Sequence, residues 1–222
     1  MDKKLSQLVI EEDFFERMAK NIPFSFIGKK VIVFDLDGTI VRLGADWHSL
    51  RKALNARFTE RNREDLNFKN MSTILSRIIE MGDEEELQLN FNLMRQYELE
   101  NISSNEPIKE TIYFINNKEL FGVSPNAKLA VFSLNFRSTI LKSLEMAGIV
   151  DKFEFFVGRE DVRKWKPEPD GLLKILDYFK VNSEEMIYFG DVEKDLLAGA
   201  SAGVESYYID TLINHVRNIK KS

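Results

Sequence analysis

The chain has 222 residues, a net charge of −5, 44% hydrophobic and 30% charged residues, and no cysteine. That allows one large α/β domain, or a core with a smaller insert, and enough apolar side chains for a packed interior. It excludes disulfides, thiolate metal sites and cysteine nucleophiles, and the acidic balance without a basic stripe speaks against nucleic acid as a partner. No run approaches the ~20 apolar residues that span a bilayer, so no membrane partner is expected. In MDKKLSQLVIEED the acidic residues come too early for a signal peptide. Together with the absent cysteines this gives a cytoplasmic expectation.

In chain order, residues 5–20 place Leu5, Leu8, Val9 and Phe15 at three- and four-residue spacing and are expected to form an amphipathic helix, part of an N-terminal extension over 1–29. KKVIVFDLDGT then reads as a short buried strand ending in acidic residues and Gly38. From Asp46, a suitable N-cap, Trp47, Leu50, Leu54 and Phe58 follow on one helical stripe. Further helices are expected near 71–81, 83–99 and 107–117, the last opened by Pro107, with no strand pattern between 45 and 120. Strands are expected at 128–133, 153–157, 186–190 and 205–209, separated by helices near 137–147, 169–180 and 193–202. Such alternation specifies a Rossmann-like parallel sheet with helices on both faces. The expected organisation is a core of residues 30–43 and 122–222 interrupted by a small all-helical cap at 44–121.

Ligands of open parallel sheets sit at the carboxyl ends of the strands, and the reactive residue types of this chain fall there. Asp35 and Asp37 follow the first strand, two residues apart, so one carboxylate can act as nucleophile while the other handles protons. Gly38 lets the backbone turn and approach a ligand closely. Ser133 ends the second strand, with Asn135 just beyond, and a hydroxyl beside the N–H groups of a helix start makes a phosphate cradle. Lys166, in the loop RKWKPEPD, can offset the repulsion of carboxylates and phosphoryl group. Asp191 can hold a hard cation through oxygen, and Asp195 can orient it. Taken singly, each has an ordinary explanation as a turn residue, a helix cap or a solvated side chain. His48 and His215 have no metal-ligand spacing and are read as surface or packing residues.

Four elements in this order resemble the haloacid dehalogenase-like hydrolase superfamily over residues 30–210. VIVFDLDGT is similar to its first motif, VFS to the second, Lys166-Pro167 to the third and GDVEKD to the fourth. FVGREDVRKWKPEPDGLLKIL and MIYFGDVEKDLLAGASAGV look like the phosphoglycolate-phosphatase and β-phosphoglucomutase branch. The resemblance implies Asp35 as nucleophile and metal ligand, and Asp37 as general acid/base that also gives its backbone carbonyl to the metal. It implies Lys166 as charge balance, Gly38, Thr39, Ser133 and Asn135 as phosphate- or substrate-binding residues, and Asp191 completing a Mg²⁺ site supported by Asp195. The helical insert corresponds to the family's cap. An N-terminal helix before the first strand departs from the family pattern.

The expected activity is Mg²⁺-dependent hydrolysis of a small phosphate monoester, a phosphorylated metabolite, through an aspartyl-phosphate. A sugar phosphomutase would use the same motifs and stays open, as does a non-catalytic module that binds a partner through the helical cap. Dehalogenation fits poorly, because a halide leaves without a proton and Asp37 would have no task. Oligomeric state cannot be read from the sequence.

Overall fold

The computed structural model describes residues 23–64 and 68–220; the expected helix at 5–20 lies outside them. Five parallel strands form one sheet in the order β5-β4-β1-β6-β7: β1 Val31–Phe34, β4 Lys128–Phe132, β5 Phe155–Val157, β6 Met186–Gly190 and β7 Glu205–Tyr208. β1 lies centrally because it is apolar on both faces. Ile32 and Phe34 point into one buried cluster, and Val31 and Val33 point into the other. This period of two is what a strand covered on both sides requires. Register brings Phe34 level with Val131 on β4 and Phe189 on β6. The ladders run one residue further: Asp35 N–H donates to the Phe189 carbonyl and Ser133 N–H to that of Val157, each at 2.9 Å. Those bonds fix both residues at the carboxyl edge where the strand order reverses, the usual ligand crevice of such sheets.

The helices in chain order are α1 Trp47–Asn62, α2 Met71–Glu80, α3 Glu84–Glu100, α4 Lys109–Asn116, α5 Arg137–Met146, α6 Asp170–Phe179, α7 Glu193–Ala202 and α8 Ile209–Lys220. Helices α1 to α3 pack on one another through Leu50, Leu54 and Phe58, Ile74, Leu75 and Ile78, and Leu87, Phe91 and Met94. Each starts at a side-chain cap. The Asp46 carboxylate accepts from His48 and Ser49 N–H, the Asn70 carbonyl from Thr73 N–H and the Asp83 carboxylate from Glu86 N–H. Inside this bundle Glu86 is buried and takes a two-pronged bond from Arg57, Nε to Oε1 at 2.8 Å and Nη2 to Oε2 at 2.9 Å. Such a fork fixes the angle between α1 and α3. The bundle meets the sheet domain through Phe91, whose ring lies 5.4 Å from that of Phe136 and 6.4 Å from Trp165.

The chain enters and leaves this bundle through two short antiparallel strands, β2 Val41–Arg42 and β3 Glu106–Pro107, with Val41 opposite Pro107. The expected end of the helical insert at residue 121 is corrected here. Helix α4 packs on α8, and its Phe114 and Ile115, with Ile108 and Phe121 beside it, join the apolar cluster of Phe34, Val131 and Phe189. The physical reason is that the apolar side chains of α4 complete the layer that Ile140, Leu144, Leu212 and Val216 also lay on the sheet's second face.

Helix α8 was not among the elements expected from the sequence, whose last was the strand at 205–209. Its Ile209, Leu212, Ile213 and Val216 are buried at helical spacing, so the signal is present in the residues. His215 is buried with its ring 5.7 Å from Phe121 and 6.2 Å from Phe24, and is thus a packing residue, whereas His48 is exposed. Among the described residues no helix is long and apolar enough to cross a membrane.

The placement of α4 can be tested by cavity creation. Phe114→Ala should lower the free energy of urea unfolding by about 3–5 kcal/mol, as for a large ring removed from a core. A loss below about 1 kcal/mol, the size of an ordinary surface change, would return α4 to the insert.

Candidate active site

Lys166 lies at the centre of the carboxyl edge. Its side chain is wholly buried, and its Nζ sits 3.0 Å from Asp35 Oδ1 and 2.8 Å from Asp195 Oδ1. The rings of Phe132 and Tyr188 flank the ammonium, 4.5 Å and 5.3 Å from Nζ to ring centre. Burial alone would depress the ammonium, but Asp35 and Asp195 outweigh it and hold Lys166 above its ordinary range. Asp195 is the better anchored of the two carboxylates. Its Oδ1 also accepts from Tyr188 Oη at 3.0 Å, and its Oδ2 accepts from Val192 N–H at 3.1 Å. Burial acts to raise Asp195, yet Lys166 and these donors hold it below the usual range. For Asp35 burial prevails and its carboxyl is raised, with Lys166 drawing it back.

Asp191 stands apart from these bonds. Among the described residues no side chain donates to it, and its carboxyl is pushed up to about 7 by burial and by repulsion from Asp35, Asp195 and Asp37. It reaches the cluster because residue 38 is glycine. A Cβ there would lie 2.2 Å from Asp191 Oδ2, and φ at Gly38 is +74°, a conformation glycine adopts without strain. Oxygens of Asp35, Asp191 and Asp195 lie within 4.8 Å of one another. This excess of negative charge, with oxygen donors only, fits a hard divalent cation such as Mg²⁺. Because Lys166, Tyr188 and Val192 engage Asp195, Asp35 and Asp191 are the carboxylates left to hold it.

Asp37 is held elsewhere. Its Oδ1 accepts from Leu43 N–H and its Oδ2 from Trp47 Nε1, both at 2.9 Å. Burial raises its carboxyl, with those two donors acting against it. Its carboxylate is outside the acidic cluster, so the expected ligand role at Asp37 can fall only to its backbone carbonyl. Two neighbouring carboxylates therefore have different surroundings, as a nucleophile and a proton carrier require.

A cavity of ≈ 280 Å³ opens at this edge, lined by Asp35, Asp37, Trp47, Ser133, Asn135 and Asp191 together with Arg159 and Lys194. Ser133 Oγ donates to Asn135 Oδ1 at 2.9 Å and accepts from Asn135 N–H at 3.2 Å. The cradle expected from the start of α5 is altered. Phe136 N–H donates to Glu98 of α3 at 3.0 Å, and Arg137 N–H donates to Glu160. The chain's own carboxylates thus take the helix terminus, and the side chains of Ser133 and Asn135 remain to face a ligand. Thr39, expected at the phosphate, is fully buried and does not line the cavity. It follows Gly38 on the inner side of the turn. Trp47, Glu98, Arg159 and Lys194 were not singled out as site residues in the sequence. Trp47 reads as one apolar stripe member, and nothing local to the other three says that Arg159 and Lys194 line the cavity or that Glu98 caps α5 beside it.

A family model described as haloacid dehalogenase-like hydrolase matches residues 32–209. The chain belongs to this family. Pyrophosphatase PpaX of Halalkalibacterium halodurans is 35% identical over 79 residues, which is 36% of this chain and only 37% of that protein. Phosphoglycolate phosphatase of Aquifex aeolicus is 27% identical over 183 residues, 80% of this chain and 83% of the relative. The crystal structure of a putative phosphoglycolate phosphatase from Lactobacillus plantarum shares the fold at a TM-score of 0.58 and 12% identity, covering 87% of this chain and 98% of that one. In this haloacid dehalogenase-like hydrolase, then, the branch with phosphoglycolate phosphatases is the one the chain resembles in sequence.

Two measurements probe the cluster. Lys166→Met should destabilise the protein by about 3–5 kcal/mol, because two buried carboxylates lose their cation. That deficit should shrink as pH falls toward the ordinary carboxylate range, where protons replace the lysine charge. Lys164→Met, at an exposed position, should change stability by no more than about 0.5 kcal/mol; equal losses in both would remove Lys166 from its assigned place.

The second uses Asp191. Its folded pKa of about 7 lies above its unfolded value, so in metal-free protein its contribution to stability is lost as pH rises through 7. Mg²⁺ should therefore raise the melting temperature more at pH 8 than at pH 5. A pH-independent Mg²⁺ effect would show that the cation binds elsewhere.

Proposed function

We propose that the protein is a Mg²⁺-dependent phosphatase that hydrolyses a small phosphate monoester through a phosphoryl group carried on Asp35. The observation that carries this reading is the division of the two motif carboxylates: Asp35 is bound to Lys166, while Asp37 is turned to Trp47 and Leu43. The relatives named as phosphatases support hydrolysis over transfer between sugar hydroxyls, for which no feature of the site speaks. A cavity of ≈ 280 Å³ suits a small metabolite.

In the first step an Asp35 oxygen attacks phosphorus in line, and the bond to the leaving oxygen breaks. Lys166 keeps Asp35 ionised and limits repulsion between it and the incoming anion. Ser133 and Asn135, on the cavity wall, orient phosphoryl oxygens once the Ser133 hydroxyl turns from Asn135 to the ligand. Asp37, whose carboxyl is raised by burial, gives a proton to the departing alkoxide. In the second step the same carboxylate, now ionised, takes a proton from water, which attacks phosphorus and frees Asp35. Mg²⁺ held by Asp35 and Asp191 supplies neutralisation of the charge on the phosphoryl oxygens. The insert helices reach the cavity through Trp47 and through Asn70, Met71 and Ser72.

The two carboxylates can be separated with an activated aryl phosphate, whose leaving group needs little protonation. Asp35→Asn should form no phosphoryl-enzyme and release no aryl alcohol above background. Asp37→Asn should give one burst of aryl alcohol and then stall, because no base activates water. Mass spectrometry of the quenched protein should place the added phosphoryl group on the peptide that contains Asp35. A label on another residue, or turnover by Asp35→Asn, would show the covalent route to be wrong.

A further inference from the structure

Helix α3 of the insert lies along the sheet domain with one face. Glu84, Phe91 and Glu98 recur on that face at helical spacing, and each meets the domain. Glu84 Oε1 accepts from Arg163 Nη2 at 3.1 Å, Phe91 packs on Phe136 and Trp165, and Glu98 Oε2 accepts from Phe136 N–H at 3.0 Å. Arg95 adds its guanidinium over the Phe136 ring at 4.6 Å. The contact of Glu98 differs from the others in what it holds. Glu98 is only 3% exposed and binds backbone rather than a side chain.

The peptide unit between Asn135 and Phe136 is gripped at both ends. Its carbonyl accepts from Arg159 N–H at 2.9 Å, and its N–H donates to Glu98. That unit carries Asn135, whose N–H and side chain both engage Ser133 Oγ on the cavity wall. The grip on the carbonyl comes from the sheet domain, as does Glu160, which takes the next N–H, that of Arg137. The grip on Phe136 N–H comes from the insert. Part of the wall that faces the phosphoryl group is therefore fixed by a residue that does not itself line the cavity.

Glu98 is seated there without a full set of partners. Its Oε1 is buried and meets no donor, and Nε and Nη1 of Arg159 are buried and meet no acceptor, among the described residues. Burial raises the Glu98 carboxyl, and the charge of Arg159 acts against that rise. A buried carboxylate with one oxygen free costs stability. The seating of α3 is thus not saturated, and a ligand that needs the same peptide can shift it.

We propose that Glu98 is a positioning residue that couples the seating of the insert to phosphoryl binding: it fixes the Asn135–Phe136 peptide, and through it Asn135, only while α3 lies on the sheet domain. This rests on the phosphatase reading and adds to it a residue of the insert that acts through the backbone.

Calorimetric binding of inorganic phosphate to the full chain, with Mg²⁺ present, tests it without turnover. Glu98→Ala should weaken phosphate binding about tenfold, the scale of one hydrogen bond to a charged group. Glu98→Gln keeps an acceptor for Phe136 N–H and should stay within about threefold of wild type, because the role needs the acceptor more than the charge. Glu98→Asp keeps the charge but draws it back from Phe136, and should weaken phosphate as alanine does; it gives the same reading if the alanine variant does not fold. The rise in melting temperature with Mg²⁺ alone should be equal in all variants. Coupling is reciprocal, so phosphate should slow amide exchange along α3 in wild type and not in the alanine or aspartate variant. Unchanged phosphate affinity in those two variants would overturn the proposal, as would an equal loss in the glutamine variant. Tighter phosphate binding in all three would overturn it too, since Glu98 would then merely repel the anion. A Mg²⁺ effect that falls together with the phosphate affinity would do the same, because it marks general damage to the fold. Absence of phosphate binding by wild type would remove the phosphatase reading and this proposal with it, an outcome distinct from the others.

Discussion

Lys166 brings an ammonium into a space walled by Phe132 and Tyr188, fully buried, where a lone charge would be expelled. It stays because Asp35, at the end of β1, and Asp195, in the first turn of α7, meet it from two sides. Neither carboxylate could remain ionised at that depth without it. Asp195 in turn binds Tyr188 and the Val192 backbone, so the start of α7 is tied to the same charge. The reactive state of Asp35, the placement of Asp191 and the close approach of the loops after β1 and β6 all presuppose this one buried cation. A glycine at 38 and another at 190, where a Cβ would meet Asp195 at 2.4 Å, give the carboxylates room to gather around it.

The sheet was legible because its signals are local. Short apolar runs that end in Asp, Ser or Gly mark β1, β4 and β6, and the helices between them have caps and periodicity of their own. Asp35, Ser133 and Asp191, which the fold gathers at the carboxyl edge, stood out for the same reason, since each directly follows a strand; Lys166 lies in a loop. What could not be read depends on contacts between distant segments. Lys166 and Asp35 are 131 positions apart, and Glu98 meets Phe136 across 38. Helix α4 has the same kind of pattern as the insert helices, and only its packing on α8 assigns it to the sheet. Arg159 shows the limit most clearly. In the sequence it is one arginine in a charged loop, and its burial follows from the closing of β5, α3 and the Ser133 turn around it.

The joining of the helical insert to the sheet domain has a consequence for how the two can move. Both crossings of the chain run side by side as β2 and β3, and their flanks are bonded too, Ile108 N–H to the Ile40 carbonyl at 2.9 Å and Gly44 N–H to Asn105 Oδ1 at 3.1 Å. Two tethers laced together act like a door hung on a single pin. They permit swing about the line on which they lie and resist sliding or twisting of the bundle over the crevice. Trp47 opens the first insert helix just beyond that line and bonds Asp37. Any swing would therefore be felt first at Asp37, so that the orientation of its carboxylate and the aperture of the cavity are set by one angle.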